Sequence, residues 1–394
     1  MHQPALNLPP SYRASLRALV TYSKINILLV FIPLSFALHY TVDLHHQEVA
    51  LFVFSALSII PLAGLLGFAT EQISHKTSDA VGGLVNASMG NVVELIVAAI
   101  GLRDCDIALV QSTLLGGLLS NLLLVLGMSF VVGGFRFHHQ RFRIAPANVN
   151  STLMTVAVVS ILVPTAFSNY VDSRLRNDAD SILWTSRAAS IVLVLTDSHI
   201  VLQVVFQFFS HKDIFFEDEP TGSRCQCAAM RDKTNTAVAL ATLTICTVLA
   251  YFSAEHLVES LDGITKESNV SKEWLTLIVV PIVSNAAEHV TAVVVAAKGR
   301  FELALTIAIG SCVQIALFVI PVLVLVAWGL DKPLSLVFDP LETLCLFLSV
   351  LVVKFAVEDG RSHWLNGAVL LAVYVLIAIS FWGYPEQTSV FVCP

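Results

Sequence analysis

The chain has 394 residues, of which 56% are hydrophobic and only 13% charged, and its mean hydropathy is +0.78. Soluble chains carry about a quarter charged residues, so this composition excludes an ordinary soluble enzyme or binding module. The net charge of −7 is small and spread over loops, which argues against a nucleic-acid partner.

Apolar runs long enough to cross a bilayer of about 30 Å recur from end to end, so the expected fold is an all-α polytopic membrane protein. Eleven transmembrane helices are expected, near 26–42, 50–70, 82–101, 107–134, 148–168, 188–209, 234–254, 274–297, 301–328, 334–356 and 364–384. Residues 1–25 are polar and contain proline, and read as a cytoplasmic tail, not a cleaved signal. With that tail inside, 15 Lys/Arg residues fall on its side of the membrane and 7 on the other. Positive charge stays cytoplasmic, so the C-terminus is expected on the lumenal side.

A polar stretch at 210–233 separates the sixth and seventh runs and reads as a solvated cytoplasmic linker, its acidic Glu217, Asp218 and Glu219 included. Cys225 and Cys227 lie there without a second Cys/His pair and read as reduced thiols instead of a metal site. Asn269 opens a glycosylation sequon in an expected lumenal loop, whereas Asn150 opens one near the cytoplasmic face and should stay bare.

Two polar motifs interrupt the apolar sequence in one register. GNVVELIVAAIG, from Gly90, aligns with SNAAEHVTAVVV, from Ser284, at an offset of 194 residues. The same offset sets Gly116-Gly117 on Gly310-Ser311 and Ser120 on Gln314 without a gap. The copies begin at the second and seventh helices, and an odd repeat length makes the second copy enter the membrane from the opposite side. Two inverted five-helix repeats of this kind characterise secondary transporters, with a binding site at the midplane.

Within these motifs lie two acids, Glu94 and Glu288, each inside an expected helix. A mid-membrane carboxylate costs at least about 2.5–3.5 kcal/mol and marks a functional site by default. Gly90 and Asn91 share a helical face with Glu94, as Pro281, Ser284 and Asn285 do with Glu288. Gly90 and Pro281 favour local helix breaks that free carbonyl oxygens. Together with Ser120, Ser311 and Gln314 these are all oxygen donors, a set suited to Ca²⁺ and unsuited to soft metals. Without a cation, two nearby acids in a low-dielectric cavity cannot both stay ionised, so calcium and protons compete for them. Glu71 and Glu255, near the ends of the second and seventh helices, read as a relay at either mouth or as interfacial acids. His289 lies about 100° around the helix from Glu288, where it tunes that carboxylate or fills a polar contact.

These residues resemble the calcium/proton exchanger (CAX) family of the cation/calcium antiporter superfamily, the fungal vacuolar type in particular. The matching stretches are PLAGLLGFATEQ (61–72), GGLVNASMGNVVELI (82–96), LLSNLLLVLGM (118–128), AEHLVES (254–260), PIVSNAAEH (281–289) and GSCVQIALFVIP (310–321). The resemblance implies an extra N-terminal helix (26–42) beside repeats at 50–209 and 234–384. It implies that Glu94 and Glu288 coordinate Ca²⁺, aided by oxygens at Asn86, Asn91 and Asn285, with Ser120 and Gln314 in support and Glu71 and Glu255 on the access paths. Ca²⁺, with Mn²⁺ as a second candidate, would leave the cytosol for the vacuole lumen in exchange for H⁺, with no cofactor and only the bilayer as an obligatory partner. The sequence leaves the oligomeric state open, a homo-oligomer included. Ser284 stands where the family usually has glycine, and Cys312-Val313 replace a Ser-Thr pair. The run TDSHIVLQ (196–203) puts Asp197 and His199 into an apolar helix and reads as a divergent or mis-spliced segment. A sodium-coupled exchanger would need extra intramembrane oxygen sites, a zinc enzyme a ligand spacing that is absent, and a channel no repeat at all.

Overall fold

In the computed structural model, which describes residues 10–41, 48–74, 76–77, 85, 89–175, 182–194, 234–267 and 270–385, the apolar runs fold as helices. Hydrocarbon offers no hydrogen bonds, so an apolar segment meets its backbone needs by winding on itself. In chain order the helices are α1 (Tyr12–Val20), α2 (Lys24–Tyr40), α3 (Glu48–Ser74), α4 (Val92–Arg103), α5 (Ile107–Arg136), α6 (Ile144–Leu175) and α7 (Ile182–Val194). There follow α8 (Thr236–Glu267), α9 (Lys272–Ser284), α10 (Ala286–Ala297), α11 (Phe301–Gly329), α12 (Pro340–Val357) and α13 (Trp364–Phe381). Among the described residues, seven helices are individually long and apolar enough to span a membrane, or up to nine if each bent pair is one span. The bends lie between α1 and α2, at 88°, and between α9 and α10, at 58°. The linker at 210–233, the segment 196–203, Asn86 and Asn269 lie outside the described residues.

Several ends differ from the sequence expectation, among them the end of α6 at Leu175 against 168 and the start of α7 at Ile182 against 188, and two have a plain local cause. The tenth run was expected to start at 334, but α12 starts at Pro340, with Asp339 capping the amides of Leu341 (2.8 Å) and Glu342 (3.0 Å). Proline at the first helical position and an Asp cap form a strong start signal. The seventh was expected to end at 254, but α8 runs to Glu267. Its buried face, Ala254, Leu257, Leu261 and Ile264, keeps a helical spacing through that stretch.

Three helices widen by one residue per turn, at Ser120–Val125, Leu275–Val279 and Ile315–Val319. Such π segments leave carbonyls short of a partner and cluster at functional sites. In α9 the cause is local. Pro281 has no N–H to offer the Leu277 carbonyl, which instead lies against Gly116 of α5. Val125 and Val319, the ends of the first and third segments, are 194 residues apart, the same offset that relates the sequence motifs.

One apolar core joins α5, α6, α10, α11, α12 and α13, and a second joins α3, α4, α8 and α9. Polar ties cross between helices. Ser112 of α5 donates to the buried Glu273 of α9, which lies against the buried Glu342 of α12. Ser35 of α2 meets Ser55 of α3 at 3.1 Å and His256 of α8 at 3.4 Å. Near the N-terminal ends of α6 and α13, a short antiparallel pair, β1 (Gln140–Arg141) with β2 (Arg361–Ser362), fastens two loops.

A side chain at Gly116 would run into the Leu277 backbone and the Pro281 ring, whereas one at Gly64 meets nothing within 4 Å. Gly116→Ala is expected to destabilise the protein by about 1–3 kcal/mol. Gly64→Ala should be neutral or slightly stabilising. Thermal unfolding in detergent compares the two.

Candidate functional site

Helices α4 and α10 have 12 residues each, and both begin at a buried asparagine. Asn91 and Asn285 stand at their N-caps with nearly the same backbone (φ −102°, ψ 27° and φ −90°, ψ 8°), and neither side chain caps its helix. The third helical position is Glu94 in one and Glu288 in the other. The first-turn amides of a helix have no backbone partner and carry the positive end of its dipole, so an anionic side chain is favoured there. The helix breaks fall at Asn91 and Asn285, one residue past Gly90 and Ser284; Pro281 acts further back, through the π segment.

Glu94 is buried, Glu288 is half-buried, and each lies within reach of the other's charge. Around them runs a network whose bonds cross from one half of the sequence to the other. Asn121 of α5 donates to Glu288 Oε2 (3.2 Å), Asn285 Oδ1 (3.3 Å) and Ser311 Oγ (3.1 Å). Ser311 donates to Asn91 Oδ1 at 2.8 Å, and Asn91 Nδ2 donates to Gln314 Oε1 at 3.2 Å. Ser284 is buried one residue before Asn285, so the departure from glycine puts a hydroxyl beside the site. Asn285 Nδ2 donates to the Pro281 carbonyl at 3.1 Å.

The structure thus brings together Glu94, Glu288, Asn91, Asn285, Ser284, Ser311 and Gln314. Sequence reasoning missed Asn121, whose signal was a lone amide in the apolar run LLSNLLLVLGM. The other expected residues stand apart from the carboxylates. His289 Nε2 meets Ser120 Oγ at 3.1 Å, so the pair fills a polar contact between α10 and α5. Glu71 is exposed near the end of α3, close enough to Tyr22 that its charge, added to burial, pushes that phenol's pKa up. Glu255 lies within α8, not at its end, and accepts from Arg103 at 2.7 Å.

Among the described residues, two buried oxygens of this cluster have no hydrogen-bond partner, Glu94 Oε1 and Asn121 Oδ1. An unpaired polar atom in a buried site is costly unless something occupies it in the working protein. The donor set is all oxygen and carries up to two negative charges, which suits a hard divalent cation or protons.

The family described as "Sodium/calcium exchanger protein" matches two stretches, 48–196 and 238–383. The "Vacuolar calcium ion transporter" of Schizosaccharomyces pombe is 38% identical over 370 residues, covering 94% of this chain and 87% of the relative. The "Ca(2+)/H(+) antiporter" of Aphanothece halophytica is 37% identical, over 91% of this chain and 96% of its own. Among solved structures, the selenium-substituted Ca²⁺/H⁺ antiporter protein YfkE aligns with a TM-score of 0.72 at 32% identity, covering 91% of this chain and 98% of that one.

Asn121 Nδ2 has two hydrogens for the three acceptors within its reach, so Asn121→Leu leaves at least two of them short of a donor. The expected loss of stability is about 1–3 kcal/mol, read by thermal unfolding of the detergent-solubilised protein.

Proposed function

The chain belongs to the sodium/calcium exchanger protein family, and from that premise we propose that it is a secondary active antiporter moving Ca²⁺ into the vacuole lumen in exchange for H⁺. The relatives named above are transporters, not enzymes, and two of them are named for calcium and protons together. The observation that carries the reading is the pair of glutamates at the third position of two 12-residue helices that each begin at a buried asparagine.

In this reading the two carboxylates ligate Ca²⁺, with Glu94 Oε1 and Asn121 Oδ1 as its nearest uncommitted oxygens. Asn91, Asn285, Ser311 and Gln314 hold the ligands in place, since their own polar atoms bond to one another or to Asn121. With calcium gone, protons neutralise the carboxylates, because the site does not sustain two bare charges. The empty, deprotonated site is then the one state that does not cross, and exchange follows from alternating access around a fixed midplane pair. Support for two inverted repeats comes from the twice-matching family pattern, the matched π segments and the 12-residue helices. Eleven spans follow if the stretches before α4 and after α7 complete two more. The N-terminus then faces the cytosol, and the Arg103–Glu255 pair ties the far end of α4 to α8 at the lumenal face. That pair is half-exposed, so it is weak enough to part during the cycle.

Reconstituted into vesicles with an imposed proton gradient, the wild-type protein should take up calcium and dissipate the gradient in step. Glu94→Gln and Glu288→Gln, each first checked for folding by its thermal transition, should lower the calcium-driven proton flux at least about a hundredfold, since removing one charged ligand costs several kcal/mol. Calcium uptake that needs sodium instead of a proton gradient would select the sodium-coupled reading.

A further inference from the structure

The β1–β2 pairing sets Arg141 directly opposite Arg361. Like charges facing each other across an antiparallel pair repel, so the arrangement is unfavourable unless an anion lies between or beside them. Neither arginine belongs to an ion pair among the described residues, whereas the next basic side chain along the chain, Arg143, is held by Glu302 at 3.2 Å. Both are exposed, and they line a cavity of about 690 Å³ together with His139 and His363. Asp359 is the one acid in its wall. Lys354, in the last turn of α12, adds a further positive charge at this end of the molecule.

The cavity opens where helices enter the apolar layer. Its walls come from the C-terminal end of α12 and the N-terminal ends of α6 and α13, so Phe142, Ile144 and Phe355 line its apolar side. Exposed aromatic rings stand in its wall and beside it, Phe355 at 71% and Trp364, next to the lining His363, at 56%. Aromatic rings of this kind mark the level of the headgroups. A soluble anion would use the arginines and leave those apolar walls in water. A lipid uses both.

We propose that this cavity binds the phosphate headgroup of an anionic lipid, gripped between Arg141 and Arg361, with its acyl chains against Phe355 and Ile144. Arginine suits the role because its planar fork meets phosphate oxygens in pairs. The cavity shares a face with the α5–α6 and α12–α13 loops, the face assigned above to the cytosol, and cytosolic leaflets carry the anionic lipids. Such a lipid would clasp the loop after α5 to the loop after α12, beside the strand pair that sets like charges face to face and the bond from the Phe142 N–H to the Gly360 carbonyl at 3.1 Å.

The test uses the full chain, purified in a neutral detergent, with thermal unfolding as the readout. Phosphatidylinositol phosphate, phosphatidylcholine and inorganic phosphate are titrated in separate series. The anionic lipid should raise the unfolding temperature by several degrees, and neither control should at equal concentration. In Arg141→Gln/Arg361→Gln the midpoint of the lipid titration should move about thirtyfold higher. Without lipid, the same variant should unfold at or above the wild-type temperature, because the facing charges are gone; a merely structural role for the arginines predicts a fall. Should the double variant not fold, Arg361→Gln alone is read in the same way. An unchanged midpoint in the variant, an equal shift with phosphatidylcholine, or an equal shift with inorganic phosphate would overturn the proposal. None of these readouts depends on transport, so the result stands apart from the fate of the antiport reading.

Discussion

Holding Glu94 and Glu288 within the helix bundle, within reach of each other's charge, costs free energy that only a proton, a cation or oriented dipoles can offset. The fold supplies the dipoles by starting α4 and α10 beside the carboxylates, so that each acid sits over unpaired amides of its own first turn. It leaves the remaining charge to be met from outside. In the proposed cycle that unmet charge is the transport function: calcium and protons are the two ways to satisfy it, and they are mutually exclusive. Everything else in the centre holds two broken helices at the separation that makes this competition possible.

That separation is set from the first half to the second. Asn121 and Asn91 belong to the first; Asn285, Glu288, Ser311 and Gln314 belong to the second; the bonds described here run between them, apart from the local Asn285–Pro281 contact. Close approach of α5 and α9 requires the missing side chain at Gly116, and the widened turn before Pro281 turns the Leu277 carbonyl towards it. A packing device and a backbone irregularity therefore meet at one point, about a turn before Asn285.

The sequence made the helical membrane class and the family legible because both depend on composition and on contiguous motifs. The acids stood out because charge is rare in apolar runs, and their shared offset of 194 residues tied them into one pattern. Helix ends were less legible. Hydropathy sees neither a cap nor a buried face, so the start of α12 at Pro340 and the extension of α8 to Glu267 were misjudged. Asn121 was overlooked for a related reason. An amide in an apolar run could serve packing as readily as a site, and only its three acceptors, all distant in sequence, distinguish the two. For His289 the sequence left two readings open, tuning Glu288 or filling a polar contact; a helix turns neighbours about 100° apart, and the ring meets Ser120.

The central claim is that one divalent ion displaces protons from this carboxylate pair, and proton release on binding measures it without any transport assay. Calorimetric titration of Ca²⁺ into the solubilised protein, repeated in buffers of different ionisation enthalpy, counts the protons freed. The account predicts about one to two per calcium at mildly acidic pH, and none in Glu94→Gln/Glu288→Gln. Tight calcium binding by the wild-type chain with no proton released would contradict it.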